Sequence, residues 1–292
     1  MSKIPRLEFF APKTLAEALN TSAKWGGDAK LLAGGTDLLV QMKQGTIRPK
    51  RLMSLHRVRG LTGIDRMDSG LKIGAMTPLW DVEHSAVVRE QCAPLAMAAS
   101  EIGSPAIRQV ATIGGNLCNA SPAADTAPSL FVSEAELYIQ KKEGEKRIPV
   151  ADFFRGPAQT SLDGGEILTS IFLPPLPSMS RSLYLRLGRK SKADLALVGM
   201  ALVLAVDSDG KVIEIRIGLG GVAPTPIRAK RAEELARDKV LNPSWIKKVA
   251  EQASEESQPI SDIRGSADYK KAMVAALVSK GLRQLSSNEE RP

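Results

Sequence analysis

Residues Ala111–Pro128, ATIGGNLCNASPAADTAP, decide the fold together with an earlier echo at Leu31–Lys43, LLAGGTDLLVQMK. Each sets a Gly-Gly pair, Gly114-Gly115 and Gly34-Gly35, after a short apolar run and follows it with small polar residues. Adjacent glycines permit positive φ and let the backbone approach a ligand with no Cβ in the way. Successive amide N–H groups in such a turn form a concave donor cluster that suits a phosphate. Two such loops could grip a pyrophosphate from both sides. Either pair alone reads as a plain strand-to-helix turn; their recurrence points to a ligand.

Around the first pair, Lys30–Ala33 reads as a buried strand and Asp37–Gln44 as a helix stopped by Gly45, whose first amides could face an anion. Thr36 and Asp37 also have N-cap chemistry. The segment lacks the GxGxxG of a dinucleotide-binding crossover, and the chain has no GxxxxGK[ST]. Upstream, Thr14-Leu15-Ala16-Glu17 has capping-box spacing and opens an amphipathic helix to about Trp25. Downstream, a hairpin turns at Met67–Gly70, Thr77 caps a helix beginning at Pro78, and one alanine-rich helix spans about Val87–Ile102. A loop then carries the second pair, and Thr126–Val132 forms a short helix.

Glu136–Val150 alternates as a hairpin around Glu143-Gly144, and Glu166–Leu173 is a further strand. Pro174-Pro175-Leu176-Pro177 marks the domain boundary, because three prolines in four positions break any element. Beyond it, Ser182–Arg189, Ala196–Val206 and Val212–Leu219 read as strands, with a tight turn at Asp207–Gly210. Helices follow at Ile227–Arg237, Pro243–Glu256 and Ser266–Leu285. An antiparallel sheet followed by helices is an α+β pattern.

Composition narrows the function. The 292 residues carry a formal charge of +8, but Lys and Arg are scattered and aromatics make up only 4%, so stacking platforms for nucleic acid are missing. Two cysteines, Cys92 and Cys118, cannot supply the four ligands of an ordinary iron–sulfur cluster. With His56 and His84 as the only histidines and no metal-site spacing, a protein-bound metal is not expected. The amino terminus lacks the apolar core of a signal peptide, and no apolar run reaches the ~20 residues that cross a bilayer. A soluble, cytoplasmic chain is expected.

At this point AGGTDLLVQMK and TIGGNLCNASPAADTAP resemble the two signature segments of the FAD-binding medium subunit of the molybdenum hydroxylases. That family includes xanthine dehydrogenase, aerobic carbon monoxide dehydrogenase and nicotinate dehydrogenase. The similarity extends over the whole chain, through EFFAPKTLAEAL, GSPAIRQVATIGGN and GLGGVAPTPIRAKRAEE. It implies a vanillyl-alcohol-oxidase (PCMH)-type FAD fold within an α+β chain. Residues 1–176 would be the FAD-binding domain, with subdomains of about 1–55 and 56–176, and 177–292 a carboxy-terminal domain covering the flavin.

Carried over by position, Leu32, Ala33, Gly34, Gly35, Thr36 and Asp37 would line the pyrophosphate with Thr112, Ile113, Gly114, Gly115 and Asn116. Gly103 would lie near the adenosine, Asp125 would accept from ligand hydroxyls and Leu168 would give backbone contacts. Arg186 and the loop Lys190–Leu195 would approach the isoalloxazine, with Leu195 against one face. Each has a plainer reading: Asp125 as a helix N-cap, Arg186 pointing to solvent, Leu195 as core, and Cys118 as a small packing residue. The Arg228–Arg237 face reads as solvated surface.

The resemblance implies an electron relay with no catalytic acid or base in this chain. A large molybdopterin subunit would oxidise the substrate, and a small subunit with two [2Fe–2S] clusters would feed FAD here. The terminal acceptor would be NAD, a quinone, a carrier or O2, in a dimer of heterotrimers. Family carbon monoxide dehydrogenases tend to carry His-Ser where this chain has Thr36-Asp37, which favours an N-heterocycle or aldehyde as substrate of the complex. The alternatives are a stand-alone flavin oxidoreductase and a non-enzymatic nucleotide- or phosphate-binding module.

Overall fold

A computed structural model describes residues 6–188 and 194–286. The chain opens with β1 (Glu8–Phe10), α1 (Leu15–Trp25), β2 (Ala29–Leu32), α2 (Leu38–Gln44) and β3 (Arg51–Ser54). Strands β1 and β2 both pair with β3 in parallel, giving a three-stranded sheet. Thr14 caps α1 by accepting from the Glu17 amide at 3.2 Å, as its spacing predicts.

A second unit begins with the hairpin β4 (Ile64–Met67) and β5 (Gly70–Gly74), followed by α3 (Leu79–His84), α4 (Ala86–Gln91), α5 (Ala93–Ser100), α6 (Pro105–Arg108), α7 (Ile113–Asn119) and α8 (Thr126–Val132). It closes with β6 (Glu136–Lys141), β7 (Gly144–Pro149), the small hairpin β8 (Phe154–Gly156) and β9 (Gln159–Thr160), and β10 (Ile167–Leu173). The five-stranded antiparallel order β4-β5-β10-β6-β7 packs its buried face against α3, α5, α7 and α8.

The third unit is the antiparallel sheet β11 (Arg181–Leu187), β12 (Val198–Val206), β13 (Val212–Gly220) and β14 (Ile227–Arg228). Helices α9 (Lys230–Ala236), α10 (Pro243–Glu256) and α11 (Ala267–Ser286) complete it. Strand β12 is apolar without alternation because both faces are covered, by α11 on one side and α8 on the other. The third sheet therefore docks directly on the second unit, where Ala98 and Val132 pack against Tyr184, Ala201 and Val203.

The structure departs from the sequence reading at four places. The expected helix over Val87–Ile102 is broken at Cys92 (φ −150°), because Pro94 has no N–H for the continuing ladder and starts a new helix instead. Thr77 does not cap; its hydroxyl is tied to the Gly63 backbone at 3.0 Å, and Pro78 occupies the cap position. The second glycine pair lies inside the first turn of α7 rather than in a loop. Ile227-Arg228 is a strand edge, not the first turn of a helix.

Candidate functional site

The two glycine pairs meet. A Cβ built on Gly34 would lie 2.1 Å from the Val110 carbonyl oxygen, and one on Gly115 would lie 3.4 Å from the Ala33 Cβ. Gly34 is therefore required by close backbone approach, whereas Gly35 is required by its φ of 74°. On the other side, a Cβ on Gly114 would lie 2.6 Å from the Ala75 carbonyl oxygen, so α7 is pressed against the end of β5. Neither Gly114 nor Gly115 has positive φ. Their smallness serves packing, which the sequence reading had assigned to turn geometry.

The amides of the two segments differ in the same way. Around the second pair, Ile113 N donates to Thr77 O, Gly114 N to Ala75 O, Gly115 N to Thr112 Oγ1 and Asn116 N to Thr112 O, all within 3.1 Å. These donors are spent on the fold. Around the first pair, the N–H groups of Gly34, Gly35, Thr36, Asp37 and Leu38 find no acceptor among the described residues. Asp37 occupies the cap position of α2 but its side chain makes no cap hydrogen bond, and burial pushes its carboxyl up. These five consecutive donors, half-buried except at the exposed Asp37, are therefore open to an acceptor from outside the chain.

Asn116 is oriented by Thr126, whose hydroxyl donates to Asn116 Oδ1 at 2.6 Å and links α7 to α8. Gly103 lies in the turn after α5 with φ of 54°, where a Cβ would touch Ile107. Leu168 is buried in β10, beside a register shift against β6.

Asp125 does not cap α8 with its side chain. Its Oδ1 instead accepts from the Tyr184 hydroxyl at 2.6 Å and lies 3.6 Å from Arg186 Nε. Among the described residues nothing hydrogen-bonds Oδ2. Burial, only partly offset by the Arg186 charge and the Tyr184 hydrogen bond, pushes the Asp125 carboxyl up to about 6. Burial beside that carboxylate also pushes the Tyr184 phenol well up.

Arg186 is not solvent-facing. Only 6% of its side chain is exposed; Nη1 donates to Glu101 O at 2.6 Å and Nη2 to Asp194 O. Leu195 is 60% exposed and precedes β12, so it is not core; Lys190–Ala193 lie outside the described residues. Cys118 is exposed as a whole residue, but burial of its thiol pushes that group up to about 12, so it carries no thiolate at neutral pH.

The Arg228–Arg237 segment is also not a purely solvated face. Arg228 Nε lies 2.5 Å from Glu233 Oε1 with both side chains at most one-tenth exposed, and Glu233 also accepts from Ile217 N. Sequence reasoning missed Tyr184 and Glu101. Tyr184 was findable, because it precedes Arg186 by two on a strand and so shares its face.

Comparison with known proteins adds to this geometry. Residues 5–176 match the family described as the FAD binding domain in molybdopterin dehydrogenase, and residues 183–285 match the CO dehydrogenase flavoprotein C-terminal domain. The chain is 33% identical to the xanthine dehydrogenase FAD-binding subunit of Escherichia coli O157:H7, over 91% of each chain. It is similar to a chain of carbon monoxide dehydrogenase from Hydrogenophaga pseudoflava (TM-score 0.93, 34% identity, covering 97% of this chain and 98% of that one). A chain of reconstituted CO dehydrogenase from Oligotropha carboxidovorans superposes with a TM-score of 0.94 at 29% identity, covering 99% and 100%.

Proposed function

The chain belongs to the FAD-binding medium-subunit family of the molybdenum hydroxylases, and we propose that it is the electron-relay flavoprotein of such a complex. One observation carries the assignment of the site: the five amides of Gly34–Leu38 have no acceptor among the described residues, in a loop that Gly34 sets against Val110 and Ala111 by its missing Cβ. A pyrophosphate is the ligand such a loop fits, because its oxygens accept from successive amide donors. Leu32–Asp37 would hold it, with Thr112–Asn116 forming the opposite wall and Asn116 fixed by Thr126.

Gly103 would border the adenosine end, and Leu168 would contribute backbone contacts. Asp125 would accept hydrogen bonds from ligand hydroxyls through Oδ2, a charge-assisted contact. Arg186, anchored on Glu101 O, and the exposed Leu195 would border the isoalloxazine. Residues 1–176 then act as the FAD-binding domain and 177–292 as its cover. Bound FAD supplies the redox chemistry, and the residues here bind, orient and shield it.

With only two cysteines in the chain, iron–sulfur electron donors belong on a separate small [2Fe–2S] subunit, and molybdopterin on a large one. A dimer of heterotrimers and a terminal acceptor such as NAD, a quinone, a carrier or O2 complete the reading. Affinity purification of the chain from its own host, followed by metal and flavin analysis, tests it. Iron and molybdenum accompanying FAD are expected; FAD with neither metal, together with turnover of a small substrate by the chain alone, would contradict it.

A further inference from the structure

The group at the junction of α5, α8 and β11 contains more than the assumed ligand contacts need. Tyr184 is 3% exposed, and its hydroxyl is aimed at Oδ1 of a carboxylate that declines to cap its own helix. Space for that hydroxyl is made on the neighbouring strand. A Cβ on Gly199, which pairs with Arg186 across β11 and β12, would lie 2.6 Å from Tyr184 Oη. Arg186 approaches the same Oδ1 at 3.6 Å, while Glu101 Oε2 stands 3.9 Å from Arg186 Nη1.

We propose that Tyr184 is a positioning residue, which holds Asp125 by Oδ1 so that Oδ2 remains an ionised acceptor for a ligand hydroxyl. The inference rests on the reading of Asp125 as a contact to FAD. A donor to the charged form of a carboxylate favours ionisation, and burial opposes it. The groups that set this balance at Asp125 are Arg186 and Tyr184 from β11 and Glu101 from the end of α5. Arg186 approaches Oδ1 only to 3.6 Å, beyond a good hydrogen bond, so among the described residues the phenol is the one short donor to this carboxylate. Without it, Asp125 would take up a proton nearer neutral pH and lose strength as an acceptor.

The test uses the full chain in three forms: wild type, Tyr184→Phe and Gly199→Ala. The second variant displaces the phenol from the opposite strand and so does not depend on Tyr184→Phe folding well. Carboxyl carbon NMR follows the Asp125 titration, its signal identified by its loss in Asp125→Asn, and FAD titrations follow affinity from pH 5 to 8. Both variants are expected to raise the Asp125 midpoint above the wild-type value. They should weaken FAD by about tenfold near pH 6.5, with less loss at pH 8.

An unmoved midpoint in a folded variant would overturn the inference, as would a loss of FAD affinity equal at every pH, the mark of a structural role. If Asp125→Asn itself binds FAD like wild type across the range, the contact assigned to Asp125 fails instead. A midpoint that still moves in Tyr184→Phe would then be a property of the cluster alone.

Discussion

Gly34 lies so close to Val110 that an added methyl group would sit 2.1 Å from the Val110 carbonyl oxygen. That contact sets the first glycine loop against the segment leading into the second, and the amides of Gly34–Leu38 have no acceptor among the described residues. Backbone crowding and open donors thus occur in the same loop.

Gly34→Ala is accordingly expected to destabilise the chain by about 3 kcal/mol, because backbone rather than a yielding side chain opposes the new atom. FAD binding should fall with it. Gly27→Ala is the control, since nothing lies within 4 Å of a Cβ there, and its effect should stay within about 0.5 kcal/mol. Urea unfolding of the two variants checks the contrast.

Glu233→Ala should cost about 3 kcal/mol, because it removes the close partner of the buried Arg228 guanidinium and an acceptor for Ile217 N. The exposed i,i+4 pair Lys247–Glu251 should contribute no more than about 0.5 kcal/mol, and that little should vanish in salt. Thermal unfolding of Glu233→Ala and Lys247→Ala at low and high ionic strength separates the two.

Asp125 should make the FAD-free chain less stable as pH rises. Its carboxyl titrates near 6 when folded against an ordinary value of 3.8, so the folded chain holds the proton more tightly than the unfolded one. The resulting stability is full below about pH 4, lost between about pH 4 and 6, and absent above. Relative to wild type, Asp125→Asn should therefore gain up to about 3 kcal/mol across that window. Denaturant unfolding at pH 4, 5, 6 and 7 measures the difference; a constant difference would contradict it.

Much of this was legible in the sequence because local signals agreed with the fold. Thr14 with Glu17, the Met67–Gly70 turn and the α10 boundaries at Pro243 and Glu256 are each set by residues that act within a few positions. The break at Cys92 is less legible, because the alanine-rich composition of 87–102 favours one helix while only Pro94, which lacks the N–H for a continuing ladder, marks the interruption. At the site, the glycine pairs were read for turn geometry, yet Gly114 is small because Ala75, nearly forty positions earlier, presses on it. No local pattern reports such a contact. Arg186 and Asp125 could be numbered from the chain, but that they face each other depends on how β11 docks on α8.

The central claim is that this chain binds FAD through the loop at Gly34–Leu38. The visible absorption spectrum of the purified chain, before and after mixing with FAD and with the released ligand identified after denaturation, tests it most directly. Flavin bands from bound FAD, lost in a folded Gly34→Val/Gly115→Val double variant, are the predicted result. A colourless wild-type chain that ignores added FAD, alone and when assembled with its partner subunits, would contradict it.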